Sequence, residues 1–255
     1  MTVISVAIQK GGSGKTTTAI NLAAALKNTG KKVLLLDADP QSNLSQSLGI
    51  TEEPDINLFT VLKKEISGEG GNIKDAIIHT ESGLDIVPSS IELAGAELEL
   101  VSVYGREQMF GWILQPILNE YDYIFIDCPP AIGMLTVNAL TASDYVLMPL
   151  QAEFLPLKGL RSFMVHFKAI KSKLNKKLEI LGFLLTRYDE RKNMNRQVLH
   201  TLEEEFGEQV FHTHIRSNIQ LAKAQEAGKD IFSFDKHAHG AEDYRKMAEE
   251  FLQKL

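Results

Sequence analysis

Cysteine is nearly absent: the 255 residues hold one, Cys128. A single thiol cannot close an intrachain disulfide or supply a four-cysteine metal site within the chain. No apolar run approaches the ~20 residues that span a bilayer. The start, Met1-Thr-Val-Ile-Ser-Val, has no basic leader ahead of its apolar run, so it reads as a first strand and not as a secretory signal. Fixed-period repeats and low-complexity tracts are missing too, which leaves one compact domain over 1–255 as the expectation. An excess of cations is also lacking. Lys and Arg number 27 against 33 Asp and Glu, a formal charge of −6. That excludes a chain basic all over, such as a dedicated nucleic-acid coat, but leaves room for a local basic patch. A cytoplasmic globular protein fits these absences, and 44% hydrophobic residues are enough for a real core.

What is present is an alternation of short apolar runs with helical patterns. Strands are expected at 3–8, 32–37, 84–87, 123–126, 145–149 and 180–185. Helices are expected near 15–28, 57–64, 90–103, 106–119, 134–141, 157–174, 193–205, 218–226 and 240–254. The run from Lys32 to Asp37 is almost continuously apolar, as strands buried on both faces of a parallel sheet are. The fold expected is α/β: a doubly wound, mostly parallel sheet with helices on both faces. Ligands of such sheets sit at the carboxyl ends of strands. The chemically distinctive residues cluster there: 9–14 follow the first strand, 37–41 end the second, and 127–130 end another.

The first cluster is Gln9-Lys-Gly-Gly-Ser-Gly-Lys-Thr-Thr-Thr18. Gly11, Gly12 and Gly14 let the backbone turn with its N–H groups inward. With the helix N-terminus those groups form an anion nest around Ser13 and Thr17. Lys15 adds a point charge for the β/γ-phosphates of a nucleotide, and Thr16 can place its hydroxyl on Mg²⁺. A strict P-loop has glycine where Gln9 stands, so the motif is Lys-Gly-Gly-x-Gly-Lys-Thr, with Lys10 added. Tyr123-Ile-Phe-Ile-Asp-Cys-Pro-Pro130 is an apolar strand ending in Asp127, a carboxylate placed to act on Mg²⁺ through water. Cys128 beside it reads as a small buried residue, because no catalytic His is paired with it.

These motifs resemble the ParA/MinD family of deviant Walker A ATPases, and most of all its ParA/Soj branch, which acts in chromosome and plasmid partitioning. The resemblance covers nearly the whole chain, strongest at 3–49 and 121–160 and weakest at 50–120. It implies ATP and Mg²⁺ as cofactors and Lys10 as a lysine that reaches across a homodimer to the partner's nucleotide. It implies that Asp37-Ala-Asp-Pro-Gln41 is a switch segment in which Asp39 orients the attacking water and touches the metal shell while Asp37 supports the metal through water. The Asp127-Cys-Pro-Pro130 segment becomes a second switch. Thr186 and Arg187 are implied on the adenine side, with 214–228 closing over the base. Lys10, Lys15 and Asp39 are the expected catalytic set.

The same resemblance implies non-specific DNA binding by the ATP dimer, a ParB-like protein that triggers hydrolysis, and nucleoid association. Family members commonly read Ile-Pro-Arg-Asn-x-Arg in the later segment. Here Arg216 and Ser217 replace the Pro-Arg pair, and Gln220 replaces the second arginine. The cations left for DNA are Arg187, Arg191, Lys192, Arg196, Arg216 and Lys223, enough for backbone contacts in a dimer. Seven histidines, among them His212, His214, His237 and His239, show no ligand set. Two other readings exist on this fold. A MinD-like membrane regulator would end in a basic amphipathic helix, but 240–254 mixes acids into its polar face and suits packing on the domain better, so no stable membrane anchor is expected. A metabolic or cofactor-assembly ATPase of the iron–sulfur kind would need paired cysteines, and a ligase would need a substrate site that the sequence does not display.

Overall fold

A computed structural model describes residues 1–152 and 156–255. In chain order it holds β1 (Thr2–Val6), α1 (Lys15–Asn28), β2 (Val33–Asp37), α2 (Asn43–Ser47), α3 (Leu58–Ser67), β3 (Ile78–His79), β4 (Asp85–Val87), α4 (Leu93–Leu100), α5 (Met109–Leu114), β5 (Tyr123–Asp127), α6 (Met134–Ala142), β6 (Tyr145–Gln151), α7 (Pro156–Lys173), β7 (Glu179–Tyr188), α8 (Asn193–Phe206), β8 (Ile215–Arg216), α9 (Ile219–Glu226), α10 (Ile231–Asp235) and α11 (His239–Lys254).

Among the described residues, eight strands form one sheet in the order β3-β4-β2-β5-β1-β6-β7-β8. Every pairing is parallel except β3 with β4. The run Val33–Asp37 is buried at all five positions, the expected result for a strand covered on both faces. One face carries α1 and α9–α11, with Ala19, Leu22, Leu26, Tyr244, Met247 and Phe251 meeting Ile4, Leu35 and Phe125 of the sheet. The other carries α3–α8, with Leu62, Phe110, Leu135, Phe163 and Leu202 over Val3, Ile124 and Ile126. From β1 the chain crosses to β2 on one side, and from β5 it crosses back over β1 to β6 on the other, which makes the carboxyl end of β1 the switch point where such folds bind ligands.

Six strands and nine helices stand where the periodicity places them, with ends shifted by a few residues. Four elements escape it. β3 and β8 are two residues each, too short to show a period of two. α2 and α10 are five residues each and are set by local polar contacts: Asp230 caps α10 by accepting from Phe232 and Ser233 N–H. The α11 stripe of Tyr244, Met247, Ala248 and Phe251 is 0–2% exposed, so the face a lipid-binding helix would need is spent on the sheet. Among the described residues no helix is long and apolar enough to cross a membrane.

Candidate functional site

α1 begins without help from any side chain. Its N-cap is Gly14 at φ 91°, no side chain caps it, and its first turn has no acid. Among the described residues no side chain therefore caps the first-turn N–H groups, and the helix dipole adds to their pull on an anion. Gly12 and Gly14 both take positive φ, a conformation that L side chains resist. A Cβ on Gly14 would also lie 3.3 Å from Cγ2 of Thr186. Thr186 is buried and donates its hydroxyl to the Ser13 carbonyl at 2.8 Å. Its hydroxyl thus props the loop from behind, a role the sequence does not reveal.

Lys15 is 7% exposed, and its Nζ donates to the Lys10 carbonyl at 3.3 Å. The ammonium lies folded back over the loop that would hold a phosphate. Lys10 Nζ lies 3.3 Å from Gln151 Oε1, and Gln151 Nε2 donates to the Gly12 carbonyl. Gln151, at the end of β6, thus ties the two halves of the loop together. Among the described residues, a Cβ on Gly11 would meet nothing within 4 Å.

Three carboxylates converge on the inner flank. Strand register sets two of them side by side: Asp37 is the cross-strand partner of Asp127, which also pairs with Val6 just before the loop. Thr16 donates to Asp127 Oδ2 at 2.6 Å. Among the described residues, Asp127 Oδ1 is buried without a partner. Burial, and next the charge of Asp37, pushes Asp127 up to about 8; burial pushes Asp37 up to about 7. A corner that holds a hydroxyl, an orphaned carboxylate oxygen and crowded acids fits a hard cation such as Mg²⁺, whose charge would favour the ionised forms. Among the described residues no group of three His, Cys, Asp or Glu is set to hold a metal by itself.

Asp37 turns out to be occupied. Its Oδ2 accepts from Ser45 N at 2.9 Å and Ser45 Oγ at 2.6 Å, and its Oδ1 from Asp39 N at 3.2 Å. It anchors α2 and the turn before it, and so acts on the metal corner chiefly by shaping Asp39. Asp39, 7% exposed, accepts from Gln41 N at 3.0 Å through Oδ1. Cys128 is fully buried and its thiol is pushed up by burial, which leaves it no role as a nucleophile.

On the far side of α1 a small cleft of ≈ 120 Å³ is lined by Gly14, Thr17, Arg187, Asn218, Leu221 and Gln225, among others. The structure thus brings the 186–187 and 214–228 segments together against the loop. Arg187 sits at φ 52°, and the β7–β8 register shifts between Thr186 and Tyr188. That kink turns Thr186 toward the loop and leaves Arg187 exposed. Gln225 carries no signal in the sequence. It accepts from Thr17 Oγ1 at 3.1 Å and donates to Ser47 Oγ at 3.2 Å, joining α1, α2 and α9. Replacing it with Leu removes both bonds and is expected to cost about 1–3 kcal/mol of unfolding free energy. Urea denaturation of Gln225→Leu checks this; an unchanged midpoint would show that the bridge carries no stability.

The basic residues divide. Arg187, Arg191, Lys192, Arg196 and Lys223 are exposed, although Arg191 pairs with Asp189 at 2.9 Å. Arg216 is the most heavily paired cation of the set, with its side chain 43% exposed. Its Nε and Nη2 engage Asp243 at 2.7–3.1 Å, its Nη2 reaches Glu242 at 2.7 Å, and its backbone N–H also donates to Asp243. Two carboxylates neutralise this guanidinium, which ties β8 to α11.

A mostly parallel sheet with a glycine-rich loop, a buried lysine and a Thr–Asp pair at its carboxyl edge defines a P-loop nucleotide hydrolase. Comparisons narrow the class. A family model described as an AAA domain matches residues 1–180. The sporulation initiation inhibitor protein Soj of Bacillus subtilis is 42% identical over 249 residues, covering 97% of each chain. The chromosome partitioning protein ParA of Caulobacter vibrioides is 40% identical over 255 residues, covering 99% of this chain and 94% of that one. A solved structure of cobyrinic acid a,c-diamide synthase from Mycobacterium smegmatis, with bound ADP and magnesium, superposes with a TM-score of 0.83 at 35% identity, covering 99% of this chain and 95% of that one. The chain belongs to the ParA/Soj-type partitioning ATPases, within the ParA/MinD family of deviant Walker A P-loop ATPases.

Proposed function

We propose that residues 1–255 work as one ATPase domain that positions DNA or another large cargo, cycling between an ATP-bound dimer and a released form. The observation that carries this is the loop itself. The uncapped start of α1, the folded-back Lys15 and the Thr16–Asp127 pair leave a place shaped for a triphosphate and Mg²⁺. N–H groups of 11–17 and Lys15 hold the phosphates. Thr16 and Asp127 hold Mg²⁺, which supplies charge that offsets the phosphate oxygens. Asp39 orients the attacking water, with Asp37 fixing the turn that carries it. Thr186 and Arg187 border the base, Arg187 directly and Thr186 through the loop.

Lys10, added to the loop beside Gly11, supports a sandwich in which each protomer offers a lysine to its partner's phosphates. Two facing γ-phosphates repel, and a cation from each protomer offsets that, so association depends on ATP. The dimer doubles the patch of Arg187, Arg191, Lys192, Arg196 and Lys223, which binds DNA backbone without reading bases. A ParB-like partner speeds hydrolysis and releases the complex. A nucleoid-associated location follows from that binding.

Gel filtration and DNA retention with ATP, ADP and no nucleotide test the cycle. DNA is expected to be retained only with ATP. With about 6–10 phosphate contacts per dimer, affinity falls about 10³–10⁵-fold between 50 and 200 mM salt. Equal retention without nucleotide would overturn the reading. The cobyrinic acid synthase likeness raises a metabolic alternative. It would show instead as ATP turnover coupled to a small-molecule product, with no nucleotide-dependent DNA binding.

A further inference from the structure

α4 departs from the usual amphipathic pattern. Its inner side, Leu93, Ala96 and Leu100, is buried in the core. Its outer side is apolar as well. Ile91, Ala94, Gly95, Leu98 and Val101 follow one another at helical spacing and are all exposed, with Ile91 at 60%, Leu98 at 79% and Val101 at 60%; Tyr104, just beyond, is 98% exposed. Helices apolar on both sides are normally covered on both, and a contiguous exposed apolar face marks an interaction site. Gly95 sharpens the point. A mid-helix glycine weakens a helix, yet a Cβ there would meet nothing within 4 Å. Nothing among the described residues requires a glycine at this position, but a segment approaching from outside would.

Charge selects the occupant. Glu92 and Glu99 flank the apolar stripe in solvent, Glu97 stands on its other side, and 91–105 contains no Lys or Arg. The next cation, Arg106, turns back to the Val101 carbonyl and pairs with Glu107. A second copy meeting this face with its own α4 would set glutamate against glutamate. An apolar segment with basic flanks complements it.

α4 is also bonded to α6, the helix that follows the Asp127 segment. Glu97 Oε1 accepts from Leu135 N at 3.2 Å, in the first turn of α6. Gly133, the α6 N-cap, has no side chain of its own to cap the helix, and a Cβ there would fall 2.1 Å from Glu97 Oε1. Glu97 therefore serves as the acidic cap of α6, at Gly133 and Leu135, where the segment from Asp127 enters that helix.

We propose that the outer face of α4 is the docking surface of the partner that stimulates hydrolysis, that the segment seated there is apolar and basic, and that Glu97 carries its effect to the 127–135 loop. This rests on the partner-stimulated ATPase reading above. The probe is a synthetic amphipathic Lys/Leu helix, with a Glu/Leu helix of equal length as control, added to the full chain with Mg-ATP. The Lys/Leu peptide is expected to bind and to raise the hydrolysis rate, and the control to do neither. Leu98→Lys is expected to weaken peptide binding about 10–100-fold, the loss of one buried leucine, with basal hydrolysis unchanged. Glu92→Lys with Glu99→Lys gives a loss of the same sign. Glu97→Gln keeps peptide affinity but lowers the maximal stimulated rate, which separates docking from coupling. Gly95→Ala raises Tm by about 2–4 °C and weakens binding.

A wild type indifferent to the Lys/Leu peptide, or a Leu98→Lys variant stimulated like wild type, overturns the inference. So does loss of the ATP-dependent dimer in Leu98→Lys without peptide, which would hand the face to a second copy. If the wild type neither hydrolyses ATP nor dimerises with it, the function proposed above falls first and takes this inference with it.

Discussion

Lys15→Ala is expected to lose at least about 100-fold in ATP affinity, roughly 2.7 kcal/mol, by isothermal titration or by a fluorescent analogue. The ammonium is 7% exposed and donates at the long distance of 3.3 Å to the Lys10 carbonyl. A phosphate would replace that weak neutral bond with a charge-assisted one, worth more in a partly buried site. The substitution also acts on the metal corner. Lys15 is among the influences that lower Asp127, so its removal pushes Asp127 further up and leaves more of it protonated near neutral pH. Both effects weaken Mg-ATP and neither should unfold the chain, so circular dichroism and gel filtration without nucleotide should match wild type. Lys15→Arg is expected to rescue poorly: the planar guanidinium is larger and cannot lie along the loop as a compact ammonium does. Unchanged nucleotide affinity in Lys15→Ala would sink the phosphate-loop assignment.

How much of the molecule is legible in its sequence differs by element, for physical reasons. Strands such as 33–37 and 123–127 announce themselves because burial on both faces demands unbroken apolar runs. The loop announces itself because a phosphate cradle needs glycines and a lysine within a few residues of each other. Spatial order is another matter. β2, β5 and β1 are neighbours although far apart in sequence, so nothing local reveals that Asp37 and Asp127 stand opposite one another. The work of Ser45 on Asp37, of Thr186 behind the loop and of Gln225 between three helices is likewise invisible, because each bond joins segments that meet only in the fold. Arg216 shows the converse. Its type and position invite a phosphate, but Asp243, one turn into α11, claims it. The 90–103 segment is readable as a helix, but which of its two apolar sides is covered is not.

Asp39→Ala is expected to leave ATP binding intact and to lower hydrolysis about 10²–10⁴-fold, the range spanned by a lost acid–base or water-orienting group. Asp39 is nearly buried at the mouth of the turn, its Oδ1 accepts from Gln41 N–H, and its backbone N–H is fixed by Asp37. Losing the Gln41 bond should cost only about 1 kcal/mol of stability. Removing the carboxylate also takes one negative charge away from Asp37 and Asp127, both of which it raises. Those two acids then ionise more readily, so Mg-ATP should bind as well as before or better. With hydrolysis slowed and binding kept, the dimer is expected to persist on gel filtration long after a wild-type sample has returned to monomer. Asp39→Asn can still accept the Gln41 N–H bond but cannot take a proton as the carboxylate does. Slow turnover in both variants assigns the effect to the charge and its grip on water, whereas slow turnover in Asp39→Ala alone assigns it to the shape of the turn. A variant that hydrolyses ATP at the wild-type rate would remove Asp39 from the mechanism and leave the water to be placed by a group outside this turn.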